Sequence, residues 1–329
     1  MLKRFFILFF ASTLIFSLFV FIRVGLLYSD AKKQIISESK HMIQTHKERF
    51  GLIVAHIKSE VAFLSKEKHT RAVFDSKNTD DLASQFLNYI TNEKTYDQVR
   101  FLDINGKEIV RVNYNNGNPK IVSKDKLQNK ANRDYFHDLI NLKKDEFYIS
   151  TLDLNIENGE VELPIKPTIR FATSVFDANN KKIGYIIVNY LADNFLNELK
   201  KPTPVLERKT LLLNKDGYYI IGLDKEKEWD FVFNKEAASN FASDFPVSWR
   251  ELKDATSGYI ENDEGVIEHL NICTNSNDCK NNLKLVVYLP QSKIIDMLVK
   301  FLTHAIPFYL IFLMFFGVVL NWYIYLNAL

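Results

Sequence analysis

The sequence is short of the residues that usually announce chemistry. It has two cysteines in 329 residues, Cys273 and Cys279, and seven histidines (His41, His46, His56, His69, His137, His269 and His304) with no metal-ligand spacing. It lacks a phosphate-binding Walker loop, a dinucleotide fingerprint, a G-x-S-x-G elbow and an H-E-x-x-H helix. The chain therefore reads as non-enzymatic, with no metal and no cofactor. Its formal charge of +2 balances 42 Lys and Arg against 40 Asp and Glu, without a dense basic stripe. Nothing favours a nucleic-acid partner.

Charge is missing altogether from two stretches. Residues 5–22 carry none, Arg23 interrupts the run, and apolar residues resume to Tyr28; residues 301–329 carry none either. About twenty apolar residues cross a hydrocarbon core, so membrane spans are expected over 5–28 and 297–326. Lys3 and Arg4, in a short 1–4 segment, place the N-terminus in the cytoplasm and the bulk of the chain in the periplasm or outside, a two-pass inner-membrane topology. Arg23 lies near the outer interface, where it can snorkel. Trp322, Tyr323 and Tyr325 suit the far interface. Few residues follow Tyr325. If the chain is complete, its signal passes to a separate cytoplasmic or membrane output protein.

Between the spans, residues 29–72 read as one long stalk helix. Ile36, Ile43, Phe50, Ile57 and Leu64 recur every seven residues, with Ile53, Val54 and Val61 around them. The stripe either packs on its own domain or pairs with a second protomer, giving a homodimer. Ser39 and His46 interrupt it near the membrane, where no domain is evident to pack against. Beyond the stalk, a hairpin pattern occurs twice. Val99–Gly106 leads into Glu108–Val112, and Thr210–Gly217 into Tyr219–Leu223. The Asn-Gly and Asp-Gly turns predict type I′ geometry. Further strands follow over 168–176 and 183–191, and over 258–261, 266–272 and 283–289. Lys201-Pro-Thr-Pro204 reads as a linker. The fold class is α+β: two antiparallel-sheet units, a membrane-distal one over 73–200 and a membrane-proximal one over 205–292. Cys273 and Cys279, six apart in a polar loop, either close a small disulfide or remain free thiols.

The landmarks Ala131-Asn-Arg-Asp-Tyr-Phe136, Phe147-Tyr-Ile-Ser150, Ile169–Asp177 and Gly184–Val188 make the chain resemble the double Cache family of bacterial extracytoplasmic sensors. That family has a long N-terminal helix, two stacked PAS-like sheets and flanking transmembrane helices. The resemblance implies a small-molecule ligand in the distal unit. In members that bind amino acids, an Arg followed by two aromatics holds the ligand carboxylate, a later Tyr contributes, and an Asp takes the ammonium. Carried over, these are Arg133, Tyr135, Phe136, Tyr148 and Asp177. Gln128 stands where the family often has Tyr, and Tyr135-Phe136 replaces a commoner Trp-Tyr, so a standard amino-acid specificity is not expected. Arg170 is a further candidate, on the strand face shared with Ala172 and Ser174 and opposite Ile169, Phe171, Thr173 and Val175. Asp153, Asn155 and Glu157 alternate along an extended segment, which reads as a solvated loop rather than a divalent-cation site. Two other classes stay open: an envelope scaffold with the same fold and no ligand, and a membrane-tethered hydrolase for which no nucleophile–base pair is nominated.

Overall fold

The computed structural model describes residues 2–74, 78–157, 159–201, 208–235, 237–273 and 282–326. A single helix, α1 (Leu2–Lys66), carries the first apolar run and the stalk without a break. At the other end, α9 (Gln291–Leu326) begins directly after the last strand. Both are long and apolar enough to cross a membrane. They pack on each other through Phe16 and Phe312, whose rings stack at 3.8 Å, and through the Ser17 and Tyr309 hydroxyls, 3.0 Å apart.

Short α2 (Lys68–Arg71) and amphipathic α3 (Asn78–Asn92) lead into the distal sheet. Its strands are β1 (Tyr96–Asp103), β2 (Glu108–Asn113), β3 (Lys120–Ile121), β4 (Phe147–Ile149), β5 (Asp153–Leu154), β8 (Pro167–Phe176) and β9 (Lys182–Leu191), in the order β3-β2-β1-β9-β8-β4 with β5 on the end of β8. Between β3 and β4 lies α4 (Asp134–Ile140), and a small hairpin of β6 (Ile156–Glu157) and β7 (Glu160–Val161) follows β5. α5 (Asp193–Leu199) ends the unit.

The proximal sheet has the order β11-β10-β14-β13-β12, from β10 (Lys209–Leu213), β11 (Tyr219–Ile221), β12 (Ser257–Asn262), β13 (Gly265–Ile272) and β14 (Leu283–Pro290). Helices α6 (Asp230–Phe233), α7 (Phe241–Asp244) and α8 (Pro246–Leu252) lie between β11 and β12.

Alternation fixes what each sheet face does. In the distal unit Val99, Phe101, Val110, Val112, Phe171, Ile186 and Val188 face one way and are buried. They form one core with Phe50, Ile57, Val61 and Leu64 of α1 and with Leu82, Phe86 and Ile90 of α3. The heptad stripe is thus covered by its own chain from Ile43 upward. Its lower half also has a partner. Ile35 packs with Val266, Leu289, Ile294 and Met297, and Arg208 donates to the Ser39 hydroxyl at 2.9 Å. The expectation that nothing covers this half is corrected, because β13, β14 and the start of α9 fold back against it.

The repeated hairpins are present as β1–β2 and β10–β11, with a different turn from that expected. Only Gly106 (φ 83°) and Gly217 (φ 85°) have positive φ at these turns. The N–H of Gly106 donates to the Asp103 carbonyl, and that of Gly217 to the Asn214 carbonyl. Each is a type I turn followed by a left-handed glycine bulge, not type I′. The reason is the first residue: the Asp103 carboxylate accepts from Asn105 and Lys107 N–H, and the Asn214 amide oxygen from Asp216 and Tyr218 N–H. These bonds hold the longer loop.

Cys273 is disulfide-bonded. Cys279 lies outside the described residues.

Candidate ligand-binding site

The second face of the distal sheet is polar and buried. Strand pairing puts Arg111, Arg100, Ile187, Ala172 and Tyr148 in one row across it. The adjacent row is Asn113, Gln98, Asn189 and Arg170. Arg170 therefore sits on the face turned away from α1, with Ala172 and Ser174. α4 closes one end of this face. Phe136 is buried there, with its ring edge-on to Tyr185 at 5.8 Å, in a cluster with Leu102, Leu139, Ala172 and Ile187. Asp153, Asn155, Glu157 and Lys166 lie at the other end, against Arg170, Gln98 and Asp97.

Arg170 is the centre of the first charged group. Its guanidinium donates to Asp153 Oδ1 at 2.7 Å and to Asn155 Oδ1 at 3.4 Å, and lies 5.8 Å from the centre of the Tyr135 ring. The charge of Arg133 also acts on Asp153. Tyr148, one strand over, has its hydroxyl pushed upward by burial, with Asp138 and Arg170 acting on it in opposite directions. The Tyr135 hydroxyl is buried with no hydrogen-bond partner among the described residues.

So Arg133, Tyr135, Tyr148 and Arg170 gather around Asp153, and Phe136 lies in the wall beneath them. Asp177 does not join them. It opens the β8–β9 turn, where its Oδ1 accepts from the Asn179 and Lys181 N–H groups, and its carbonyl accepts from Arg71. Seven residues of extended strand, roughly 23 Å, separate it from Arg170. It is the third copy of the turn device made by Asp103 and Asn214.

The alternating Asp153, Asn155 and Glu157 are likewise not a solvated loop. Asn155 is 2% exposed, Asp153 meets Arg170, and Glu157 accepts from the Gln98 side chain at 2.9 Å. Each carboxylate points at cationic side chains, which is the wrong environment for a divalent cation.

A second charged group lies toward β2 and was not singled out from the sequence. Glu108, 1% exposed, is approached by Arg111 at 3.3 Å, Arg100 at 3.5 Å and Lys130 at 4.0 Å, and accepts the Gln128 N–H at 2.9 Å. Glu157 stands 3.8 Å from Arg111. Burial, with Arg100 nearby, pushes the Lys130 ammonium down to about 8. Glu157 is pushed up by burial, yet the Gln98 hydrogen bond and the Lys130 charge hold it below the ordinary carboxylate range. At the β1 bulge, Asp97 accepts from Lys166 at 2.9 Å. The available signal was strand order: once β1 and β9 pair, the alternating Gln98, Arg100 and Arg111 fall on the face of Arg170.

The corresponding face of the proximal sheet is built differently. Leu211, Leu213, Tyr219, Ile267, Val286 and Tyr288 are covered by Phe241, Phe245 and Leu252. The same face carries buried Lys284, across from Leu213 and donating to the Leu252 carbonyl, and buried His269, across from Val286. It is thus mostly apolar and closed by aromatics, whereas the distal face buries three arginines and a lysine together with their carboxylates.

His56, Glu60 and Glu93 place ligand-type atoms within 4.8 Å of one another at the α1–α3 junction, but His56 is exposed and pairs with Glu60 along the helix.

No curated protein matches the chain. Among solved structures, the fold is similar to the extracellular domain of a protein assigned as a histidine kinase, vpHK1S-Z8 (21% identity, TM-score 0.69, covering 82% of this chain and 95% of that one). It is also similar to a domain of a sensory box/GGDEF family protein from Vibrio parahaemolyticus (21% identity, TM-score 0.68, 78% and 97%). The sensory domain of the Campylobacter jejuni chemoreceptor Tlp3, solved with isoleucine bound, shares the fold at 11% identity (TM-score 0.57, 81% and 97%). These neighbours are sensor domains of the Cache type, in agreement with the double Cache resemblance. The model of the bacterial histidine kinase sensor domain matches residues 33–287, which takes in most of the stalk, the distal sheet with its charged face and nearly all of the proximal sheet. The chain belongs to the bacterial histidine kinase sensor-domain family.

Proposed function

We propose that this chain is an extracytoplasmic ligand-binding sensor module, taking a small carboxylate-bearing organic ligand on the polar face of the distal sheet. The observation that carries the reading is the cost of that face. Buried charges are expensive, and an apolar filling of the same volume is often as stable or more so. The corresponding proximal face is largely filled that way, with Lys284 as a buried cation at its edge. The distal unit keeps Arg100, Arg111, Lys130 and Arg170 buried instead.

Arg170 is the first anchor. Its planar fork is engaged by Asp153, whose side chain is 48% exposed and can yield to a ligand carboxylate. Arg133 supplies a second positive charge, and Tyr135 and Tyr148 line the approach. Phe136 supports them from below. Asp177 is not part of this reading, because its carboxylate is committed to a turn. Similar folds solved with isoleucine or L-valine bound support a small-ligand role without fixing the ligand here.

Lys3 and Arg4 orient α1 with its start in the cytoplasm, which puts both sheets outside and brings α9 back across. Signal would pass along α1 and α9 to a kinase or other output. Pairing of protomers would use the α1 surface left uncovered. Leu52 and Phe63, three turns apart on one side, are 72% and 60% exposed.

The test is thermal unfolding of the full chain in lipid nanodiscs against small carboxylates, amino acids and amines. A ligand at a hundredfold over its Kd adds about 2.7 kcal/mol. A stabilising ligand whose effect is lost in Arg170→Met supports the reading. If no compound shifts a folded chain, the sensor reading gives way to an envelope scaffold, the alternative that the divergence of Arg133 and Asp177 favours.

A further inference from the structure

Three buried cations converge on one fully buried carboxylate at the β1–β2 end of the polar face. Arg100, Arg111 and Lys130 are each less than a tenth exposed, and Glu108 is the only carboxylate that all three approach within 4.0 Å among the described residues. The second carboxylate, Glu157, is partly exposed and comes from the β6–β7 hairpin, which pairs with neither sheet. These three cations face two carboxylates, and beside them Asp97 and Glu162 share the single Lys166, with Arg100 also acting on Asp97, so this end of the face balances four cations with four carboxylates.

Hydrogen bonding is incomplete in the same place. The Nε atoms of Arg100 and Arg111 are buried with no partner among the described residues. An unpaired buried donor costs about 1–3 kcal/mol, more when charged, so a region with two of them favours an anion that meets them in exchange for the partly exposed Glu157.

We propose that this region is a second anion subsite, which accepts an acidic group at the far end of the ligand whose first carboxylate meets Arg170. The ligand class is then a short dicarboxylate, and the inference rests on the ligand-binding reading above. Arg170 and Arg100 lie two strands and two residues apart, about 12 Å between Cα atoms, and their side chains stand on one face. Long guanidinium side chains shorten that span to the reach of a small molecule. Exchange for the single charge of Glu157 suits one carboxylate rather than a dianionic phosphate. Glu157 occupies the mouth of the subsite as an internal competitor.

Lys130 supplies a readout that a merely structural cluster would not. With its ammonium held down to about 8, it is largely neutral at pH 8.5, and an arriving anion favours the charged form, so binding takes up a proton. The experiment is calorimetric titration of the full chain in nanodiscs at pH 8.5. Succinate and glutarate are compared with butyrate and valerate, in two buffers of different ionisation enthalpy. Each dicarboxylate is expected to bind at least about tenfold tighter than its monocarboxylate match, with proton uptake. Lys130→Gln should abolish both the preference and the uptake. Glu157→Gln leaves the buried cluster in place and should tighten dicarboxylate binding several-fold. Equal affinity for the two classes, or a preference that survives Lys130→Gln, overturns the subsite and leaves the carboxylate sensor standing. Failure of all four acids to bind also overturns the subsite, while the wider panel above decides the sensor reading separately.

Discussion

Replacing the two halves of the Arg170–Asp153 pair should give unequal losses, and the inequality follows from where each group sits. Arg170 is buried, with bonds to Asp153 at 2.7 Å and Asn155 at 3.4 Å. The Asp153 side chain is 48% exposed. Arg170→Met leaves an aspartate that water can reach, so the cost is about 1–2 kcal/mol. Asp153→Asn leaves a buried guanidinium without its counter-charge. Breaking a fully buried pair costs about 3–5 kcal/mol, and partial exposure reduces that to about 2–3 here. The coupling in a double-mutant cycle should be about 1–2 kcal/mol. Urea unfolding of the four variants, followed by far-UV circular dichroism in nanodiscs, measures these terms. A coupling under about 0.3 kcal/mol, or Asp153→Asn as mild as Arg170→Met, would show an ordinary surface pair and refute the placement of Arg170 in a desolvated face.

Three further outcomes are expected. Asp177→Ala removes two turn hydrogen bonds and should cost about 0.5–1.5 kcal/mol, measured by the same unfolding assay, while ligand affinity stays unchanged. Gly184→Ala would set a Cβ 2.1 Å from the Leu102 carbonyl oxygen and 2.6 Å from the Phe101 ring, so a loss of about 3 kcal/mol or more is expected, visible as poor folded yield. His269 is buried among Gly258 and Lys284, and burial followed by the Lys284 charge pushes its imidazole down to about 4. Its folded value lies below the unfolded one of about 6.5. The stability it contributes is therefore present above about pH 6.5 and is lost as pH falls through about 4, up to roughly 3 kcal/mol. His269→Gln should flatten the acid limb of a pH–stability curve, and a curve of unchanged slope would contradict this.

What could be read from the sequence was local. Residues 168–176 alternate, residues 183–191 form a nearly continuous apolar run, and the two pair as β8 and β9; the two Gly-ended hairpins and the heptads of α1 were equally legible. The turn type was not, because type I′ depends on two positive φ values and the first turn residue decides otherwise through its side chain. The candidate site divides the same way. Arg133, Tyr135, Tyr148 and Arg170 were accessible through a motif and a strand face. Arg100, Arg111 and Glu108 were not singled out, since the segments that bury them, around Gln128, Lys130 and Glu157, lie some 20–60 residues further on. Ser39 seemed to interrupt a seam because its partner, Arg208, is 169 residues away.

The two faces of the distal sheet share their backbone, and in the proposed sensor this would constrain how a ligand acts on the two long helices. Arg170 on the polar side is flanked by Ile169 and Phe171 on the apolar side, and Arg100 by Val99 and Phe101; these apolar residues belong to the core built on α1. A rearrangement of the buried charges that moves either strand must therefore be accommodated by close-packed side chains on α1, where interiors resist small displacements. α1 continues unbroken to the first span, and the proximal sheet passes into α9 at Pro290–Gln291 with no linker. A ligand moves this assembly only by its differential affinity for two arrangements, and a swing from 1:99 to 99:1 requires about 5.5 kcal/mol. Contacts to a solvent-exposed ion pair would fall short of that. Exchanging an internal carboxylate for a ligand carboxylate among buried guanidinium groups is of the required order, since breaking one buried pair is worth about 3–5 kcal/mol. The proposed sensory face, made mainly of buried charges where the proximal face is mainly apolar, would meet that demand.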